Sequence, residues 1–221
     1  MSVPASDRSV PLSADLQAEI EGWYRGTIFA YDWTSPHFPS WTAVLGERRR
    51  PLRILEIGSY EGRSAIFFLN YFPASTLTCV DWWNMDTNEL ELLPLIPDAL
   101  EHFAHAEARF DLNLAPYGHR ATKLKGNSAD VVAQLGVDGA RFDLIYVDGG
   151  HRAMWAYRDC TLSWPLLEPG GIMIMDDYVW PVPLADWKKP KLGIDRFLAS
   201  IEGGYEELHR AYQLIIRKLL R

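Results

Sequence analysis

Residues 52–64 of the chain have the sequence LRILEIGSYEGRS. An apolar run, Leu52–Ile57, leads into two glycines, Gly58 and Gly62, and a helical pattern follows over Arg63–Tyr71. Glycines at a strand-to-helix turn let the backbone bend sharply and approach a ligand closely, beside the positive end of the helix. This stretch therefore predicts a strand, a ligand-binding loop and a helix.

The rest of the chain repeats this alternation of short apolar runs and helical patterns. Further strands are predicted at Thr76–Val80, Ala121–Lys125, Phe142–Val147, Ile172–Met175, Tyr205–His209 and Tyr212–Leu219. Further helices are predicted at Ala129–Leu135, Arg152–Leu167 and Gly193–Ile201. Such alternation is typical of parallel sheets with crossover helices. We therefore expect an α/β fold, namely a doubly wound, Rossmann-like, seven-stranded and mostly parallel sheet with helices on both faces.

Two segments fall outside this alternation. Residues 1–50 are predicted to form an N-terminal helical segment with helices at Ala14–Tyr31 and Trp41–Leu45, and residues 82–97 interrupt the second crossover. Both segments contain several Trp and Pro residues, and long irregular segments of compact domains are usually functional. We predict that both act as a lid over the site, which itself belongs to a main domain at residues 51–221.

Composition narrows the class of ligand. The 221 residues include 22 basic and 29 acidic ones, for a formal charge of −7. Nucleic-acid binding depends largely on Lys and Arg against phosphate, so this balance predicts a small-molecule substrate and no nucleic-acid partner. No apolar run reaches the ~20 residues that span a bilayer, so we expect no membrane partner. Two cysteines, Cys79 and Cys160, are too few for a disulfide framework and predict a reduced, cytoplasmic protein. The sequence leaves open whether the chain forms a homo-oligomer.

Four of the predicted strands end in acidic residues. These are Glu56, Asp81, Asp148 and the pair Asp176–Asp177. Each alone has a simpler explanation, since Asp is common in turns. Together, at the carboxyl edge where open α/β sheets bind ligands, they predict a site for a cationic ligand.

The glycine loop does not supply the G-x-G-x-x-G pattern of dinucleotide binding, and Glu56 would repel a pyrophosphate. A ligand with a sulfonium, an ammonium and one carboxylate fits better. The helix amides can bind the carboxylate, while Glu56 attracts the positive groups. Asp81 occupies the place where a carboxylate binds ribose hydroxyls.

Glu56-Ile57-Gly58 with Gly62, followed by Asp81, resembles the first two motifs of class I S-adenosylmethionine-dependent methyltransferases. FDLIYVDGGH at 142–151 and LLEPGG at 166–171, continuing to Asp176-Asp177-Tyr178, resemble the macrocin-type O-methyltransferases of antibiotic biosynthesis. The resemblance covers roughly residues 51–220. It implies that residues 51–221 form an S-adenosylmethionine-binding methyltransferase domain with an insertion at 82–97.

The resemblance also implies how the cofactor is held. Glu56, Gly58 and Ser59 are expected at its methionine part and Asp81 at its ribose, with Asn127 and Ser128 near the adenine and Trp82 over it. The implied cofactor-binding residues are Glu56, Gly58, Ser59, Gly62, Ser64, Asp81, Trp82, Asn127, Ser128 and Asp148.

Metal-dependent members of this class bind a divalent cation through carboxylates after the fourth and fifth strands. Asp148, Asp176 and Asp177 fall on those places, and three hard oxygen ligands suit Mg²⁺. His151 follows Asp148 by three residues and is expected to be the general base, so His151 and Asp148 are the candidate catalytic residues. Catechol-type relatives have a lysine there, whereas the macrocin-type group has a histidine.

The resulting hypothesis is an O-methyltransferase acting on a hydroxyl of a small molecule, such as a natural-product sugar or polyketide, with S-adenosylmethionine and Mg²⁺. Alternatives are a metal-independent methyltransferase, a diverged hydroxylase and a cofactor-binding module without turnover. Asp176-Asp177 could instead cap the loop that follows, and His151 could merely begin a helix. His102 and His105 are predicted to lie on the wet face of an amphipathic helix rather than to bind a metal.

Overall fold

A computed structural model of the chain describes residues 11–84 and 98–220. In these two ranges, seven strands form one sheet: β1 (Arg53–Ile57), β2 (Thr76–Asp81), β3 (Ala121–Lys125), β4 (Phe142–Val147), β5 (Leu167–Met175), β6 (Tyr205–Arg210) and β7 (Leu214–Lys218). The helices are α1 (Ala14–Trp23), α2 (Phe38–Val44), α3 (Arg63–Tyr71), α4 (Ala99–Leu114), α5 (Ser128–Val137), α6 (Ala153–Ser163) and α7 (Pro190–Ser200). None of the helices in these ranges combines the length and apolarity needed to cross a lipid bilayer.

The strand order is β3-β2-β1-β4-β5-β7-β6. The first five strands in this order pair in parallel, and β7 runs antiparallel to both β5 and β6. The predicted doubly wound, mostly parallel α/β fold is confirmed. The chain moves outward from β1 to β3 and then returns to place β4 beside β1. The switch point between β1 and β4 is where sheets of this type open a ligand crevice.

The two faces of the sheet bury separate apolar clusters. On one face Ile54 of β1 packs with Phe67 and Phe68 of α3, and on the other Leu55 packs with Cys160 of α6 and Phe197 of α7. Successive strand residues point to opposite faces, so a strand covered on both sides is apolar at nearly every position. This explains the continuous apolar run that marks β1 in the sequence.

The N-terminal segment contributes to the first of these clusters. Ile20, Phe38 and Trp41 are buried with the aromatic residues of α3, and Trp41 has no exposed surface. Residues 11–50 therefore pack as part of the same core as the main domain. The role of the segment as a lid stays a prediction, and residues 85–97 of the second predicted lid lie outside the described residues.

Several predicted element ends were wrong. Helix α1 ends at Trp23 rather than Tyr31, just before a turn at Gly26, which has a φ of 82°. Helix α2 begins at Phe38, three residues earlier than predicted, with Pro39 in its first turn. Such a proline fits the first turn, where its missing N–H is not needed.

Near the C-terminus, α7 begins at Pro190 rather than Gly193, and β7 begins at Leu214 rather than Tyr212. Further corrections lie between β4 and the end of β5. Helix α6 stops at Ser163, because a short 3₁₀ turn with a proline, Trp164–Leu166, follows it. Strand β5 begins at Leu167 and takes in residues 168–171, which were predicted as a turn; the pairing with β4 shifts register there.

The two histidines of α4 differ in exposure. His105 is exposed, as predicted. His102 is partly buried, and its ring packs edge-to-face with the Tyr31 ring at a centroid distance of 5.0 Å. The prediction that His102 lies on a solvent-exposed helix face was therefore wrong.

Candidate active site

The loop between β1 and α3 is shaped by its two glycines. Gly58 has a φ of 91°, and a Cβ there would lie 1.9 Å from the backbone oxygen of Asp148. Gly62, with a φ of 82°, immediately precedes α3. The backbone ends of β1 and β4 thus approach so closely that only a glycine fits at 58. This brings the glycine loop next to the residues that follow β4.

Asp81, at the end of β2, fixes the loop from the side. Its two carboxylate oxygens accept the amide N–H of Tyr60 at 2.8 Å and that of Trp83 at 2.6 Å. Burial raises the pKa of Asp81, and the amide hydrogen bonds oppose that rise. The side chain predicted to bind ribose hydroxyls therefore also orders the backbone of the glycine loop.

Glu56 is a fully buried acid of the site. Its side chain is 0% exposed, and among the described residues neither carboxylate oxygen has a hydrogen-bond partner of ordinary geometry. Burial raises its pKa to about 7, although Ser59, Ser64 and Cys79 lie close enough to favour the charged form. A buried carboxylate without a partner is costly, and a cationic ligand would compensate it.

The residues predicted near the adenine have partners within the protein. Asn127 caps α5 by accepting the amide N–H of Ala129 at 2.9 Å, while the Ser128 hydroxyl donates to Asp159 at 2.8 Å. Trp82 directly follows β2 and is 47% exposed. Contact of these three side chains with an adenine stays a prediction.

Three side chains converge beyond β4 and β5. Asp148, His151 and Asp177 each place one oxygen or nitrogen within 4.8 Å of the others, and His151 Nε2 lies 3.2 Å from Asp177 Oδ2. A small cleft opens here, lined by these three residues together with Asp159 and Cys160 among others. The sequence analysis predicted that Asp148 and Asp177 lie close together, and they do. It predicted a role in proton transfer for His151 but did not predict that His151 lies against these two carboxylates.

Asp176 takes a different position from its neighbour. One of its oxygens bonds the Tyr146 hydroxyl and the other accepts the amide N–H of Asp177 at 2.7 Å. The same Tyr146 hydroxyl lies 2.9 Å from Asp148 Oδ2. Asp176 is therefore not among the three converging residues, and its role as a metal ligand stays a prediction.

The electrostatics of the cluster favour a cation. Burial raises the pKa of Asp148 well above its usual range, and the negative charges of Asp176 and Asp177 raise it further. Several carboxylates in one buried place repel each other unless protons or a cation compensate them.

Three aromatic residues contact the cluster, and the two tyrosines among them were not predicted. Tyr146 bonds Asp148 and Asp176, Tyr212 donates its hydroxyl to Asp177 Oδ1, and the Trp180 ring lies 5.0 Å from that of His151. Tyr146 could have been found, because residues i and i+2 of a strand point the same way. Tyr212 comes from the turn between β6 and β7, which only the folded sheet brings beside β5.

The fold is that of class I S-adenosylmethionine-dependent methyltransferases. A sequence model of the family described as a methyltransferase domain matches residues 55–178, more than half of the chain. The protein belongs to this methyltransferase family.

Individual relatives agree with that assignment. The O-methyltransferase hkm8 of Aspergillus hancockii is 27% identical over 143 residues, which is 65% of this chain and 49% of that protein. The O-methyltransferase of Bacillus cereus, solved with SAH, superposes with a TM-score of 0.60 at 18% identity, covering 97% of this chain and 94% of that one.

MycE, a methyltransferase of the mycinamycin biosynthetic pathway, was solved with Mg, SAH and mycinamycin VI. It superposes with a TM-score of 0.59 at 16% identity, covering 94% of this chain and 55% of that one. The present chain thus spans about half the length of both hkm8 and MycE.

Proposed function

We propose that this protein is an O-methyltransferase that moves the methyl group of S-adenosylmethionine to a hydroxyl oxygen of a small molecule. The observation that carries the proposal is the convergence of Asp148, His151 and Asp177 at the edge of the sheet that also holds Glu56 and Asp81. A protein that only binds the cofactor would need Glu56 and Asp81. It would not need the three converging residues.

The described residues fit the cofactor. Glu56, buried and without a hydrogen-bond partner in the described part of the chain, would pair with its positive groups. Asp81 would bind the ribose hydroxyls through lone pairs that the two amides leave available. Gly58, Ser59, Gly62 and Ser64 would line its methionine part, and Asp148 would border it across the switch point. When bound, S-adenosylmethionine supplies an electrophilic methyl group on a sulfonium.

The substrate hydroxyl must lose a proton as its oxygen is methylated. His151 would accept that proton, because a neutral imidazole is a suitable base near neutral pH. Asp177, 3.2 Å from His151 Nε2, would stabilise the imidazolium that results. Trp180 packs beside the imidazole and restricts its movement.

A divalent cation fits the same cluster. Asp148 and Asp177 supply carboxylate oxygens that suit Mg²⁺ or Mn²⁺, while the His151 imidazole beside them keeps its role as the base. Asp176 would support the set through the Tyr146 hydroxyl or bind the ion itself. Such an ion lowers the pKa of a hydroxyl bound to it.

A metal-independent methyltransferase is the second candidate. The contact between His151 and Asp177 favours it, because a base paired with an orienting carboxylate can work without an ion. A hydroxylase has no specific support among the described contacts.

The similarity to MycE, which was solved with mycinamycin VI, supports a natural product as the substrate. Trp33, 48% exposed, lies with its ring 5.5 Å from that of Tyr60 in the glycine loop, and Trp82 directly follows Asp81. Exposed aromatic rings at this place would suit a flat or sugar-faced molecule. The lid role of residues 1–50 and 82–97 belongs to this proposal. So does a cytoplasmic location, with which the buried, unbridged Cys79 and Cys160 are consistent.

Calorimetry with SAH, S-adenosylmethionine and NAD tests the cofactor assignment. We expect micromolar binding of the first two and none of NAD, because Glu56 favours a cation and disfavours a pyrophosphate. Turnover on a panel of hydroxylated natural products, with EDTA and with added Mg²⁺ or Mn²⁺, then separates the two candidates. Full activity in EDTA would exclude the metal, and NAD binding without a response to SAH would exclude the methyltransferase.

A further inference from the structure

The chain between α1 and α2 is tied to the start of α3. The Tyr24 hydroxyl donates to the Arg63 carbonyl at 3.0 Å, and Arg63 in turn donates to Asp32 at 2.7 Å and to Ser35 at 2.9 Å. The Arg63 guanidinium also lies 4.8 Å from the centre of the Phe29 ring. We refer to residues 24–35 as the strap.

Glu61 lies beneath the strap and within the glycine loop. Its side chain is 1% exposed. One carboxylate oxygen accepts the amide N–H of Ala30 in the strap at 2.7 Å, and the other accepts the Arg109 guanidinium of α4 at 2.6 Å. This buried carboxylate therefore joins the glycine loop to two elements that are remote from it in sequence.

Asn113 makes a second connection among the same three elements. Its amide nitrogen donates to the carbonyls of Glu61 and Ile28, both at 2.9 Å, and its amide oxygen accepts the N–H of Ile28 at 2.9 Å. Ile28 of the strap thus uses both its N–H and its carbonyl to pair with the Asn113 side chain, as a residue in a sheet pairs with a neighbouring strand. All of these donors and acceptors are satisfied, which makes the connection rigid.

Directly before Glu61, Tyr60 has a strained backbone. It has a φ of 45°, an unfavourable conformation for a residue with a side chain, and its amide N–H donates to Asp81. Such conformations persist only where the surroundings determine them. Glu61 is its next neighbour and is fixed on both sides.

We infer that Glu61 is a positioning residue for the cofactor, which keeps the glycine loop in its binding conformation through the strap and α4. This rests on the proposed function, because it concerns affinity for S-adenosylmethionine and SAH. Without the connection the loop adopts further conformations, and the apparent affinity falls in proportion to the remaining competent fraction. The strap then belongs to the cofactor site and does more than cover the substrate.

The test is the variant Glu61→Gln, which keeps an acceptor for Ala30 but presents a second donor to Arg109. We expect its Kd for SAH, measured by calorimetry, to rise roughly tenfold. Hydrogen exchange gives a readout that a purely structural role would not change. SAH should slow exchange in residues 28–30 of the wild type, because coupling between two sites is reciprocal, and should do so less in the variant.

Asp143→Asn is the matched control. Asp143 also accepts a backbone N–H, that of Arg53 at 2.8 Å, and the Arg53 guanidinium at 3.1 Å, but at the opposite edge of the sheet. Its loss should leave the Kd for SAH unchanged. Should Glu61→Gln fail to fold, Arg109→Gln removes the same ion pair from its more exposed side and is expected to weaken SAH binding as well.

Folded variants that bind SAH like the wild type would overturn the inference while leaving the proposed function intact. An equal loss of affinity in Asp143→Asn would also overturn it, because the effect would then follow general stability. A wild type that does not bind SAH would overturn both the inference and the proposed function.

Discussion

At the scale of single residues, the acids of this site differ in what compensates their charge. Asp81 accepts two backbone amides, whereas neither oxygen of Glu56 has a hydrogen-bond partner in the described part of the chain. The pKa of Glu56 lies at about 7 as a result of burial. Its ionisation should therefore be coupled both to folding and to cofactor binding.

Glu56→Gln tests this coupling. Between the ordinary pKa of 4.5 and the raised value of about 7, the folded wild type holds a proton that the unfolded chain has lost. Stability contributed by this group is thus present below about pH 4.5 and is lost as the pH rises through about 7. The neutral Gln avoids that loss, so the variant should be more stable than the wild type at about pH 8, by on the order of 3 kcal/mol.

Urea denaturation at several pH values measures the difference, and calorimetry should show weaker SAH binding by the same variant. Glu202→Gln, at an exposed glutamate, serves as the control and should change neither quantity. If Glu56→Gln follows the pH dependence of the wild type, the buried carboxylate is compensated by a partner that the structure does not show.

His151 and Asp176 should respond differently to substitution. His151→Ala removes the proposed base and should lower the turnover number by roughly 10²–10⁴ with little change in SAH affinity. Asp176→Asn disturbs the hydroxyl of Tyr146, which also bonds Asp148, and should raise the metal concentration needed for half-maximal activity. Steady-state kinetics over a metal titration measures both effects.

His119→Ala, at an exposed histidine, is the control for the first variant. Unimpaired turnover in His151→Ala would remove the base from the proposal and leave the fold and the cofactor site untouched. An Asp176→Asn enzyme with the metal requirement of the wild type would mean that Asp176 neither binds the ion nor supports its ligands.

At the scale of secondary-structure elements, the closest approach in the site is between the ends of β1 and β4. A Cβ at Gly58 would lie 1.9 Å from a backbone oxygen of Asp148, whereas a Cβ at Gly62 would lie 2.2 Å from a terminal methyl of Leu114. Both glycines have positive φ, so the conformational cost of alanine is similar at the two positions. The difference in unfolding free energy between the two alanine variants therefore measures the cost of a contact with backbone, which cannot move aside as a side chain can.

We expect Gly62→Ala to cost about 1–2 kcal/mol of unfolding free energy, since Leu114 can change its rotamer. Gly58→Ala should cost more than about 3 kcal/mol and should also weaken SAH binding, because the end of β4 must shift. Urea denaturation of the two variants gives the comparison. Equal costs would show that the approach of β1 to β4 can relax without penalty.

The sequence predicted these elements unevenly, for physical reasons. Strands β1 and β4 are buried on both faces, so their apolar runs and acidic ends were visible in the chain. The ends of α1 and α6 depend on a turn at Gly26 and on Pro165. The spacing of apolar residues, from which these helices were predicted, does not contain that information. Hydrogen bonds such as that between Ile28 and Asn113 join residues 85 positions apart, so no local sequence pattern predicts them.

At the scale of the whole molecule, the N-terminal segment and the C-terminal hairpin meet across the core. The Trp41 indole N–H donates to Gln213 at 2.6 Å, and its ring lies 4.8 Å from Phe68 and 5.3 Å from Tyr146. Tyr146 in turn bonds two acids of the candidate site. The packing of the N-terminal segment is therefore continuous with the support of the site.

Trp41→Ala should lower the unfolding free energy of the entire domain by about 3–5 kcal/mol, because it leaves a large cavity and an unpaired Gln213. Trp187→Ala is the control, since Trp187 is 62% exposed and its loss should change stability by only about 0.5 kcal/mol. Urea denaturation followed by both circular dichroism and SAH binding should show a single shifted transition for Trp41→Ala. If the variant instead unfolds and binds SAH like the wild type, residues 11–50 do not stabilise the domain or its cofactor site. Their role is then limited to that of a lid.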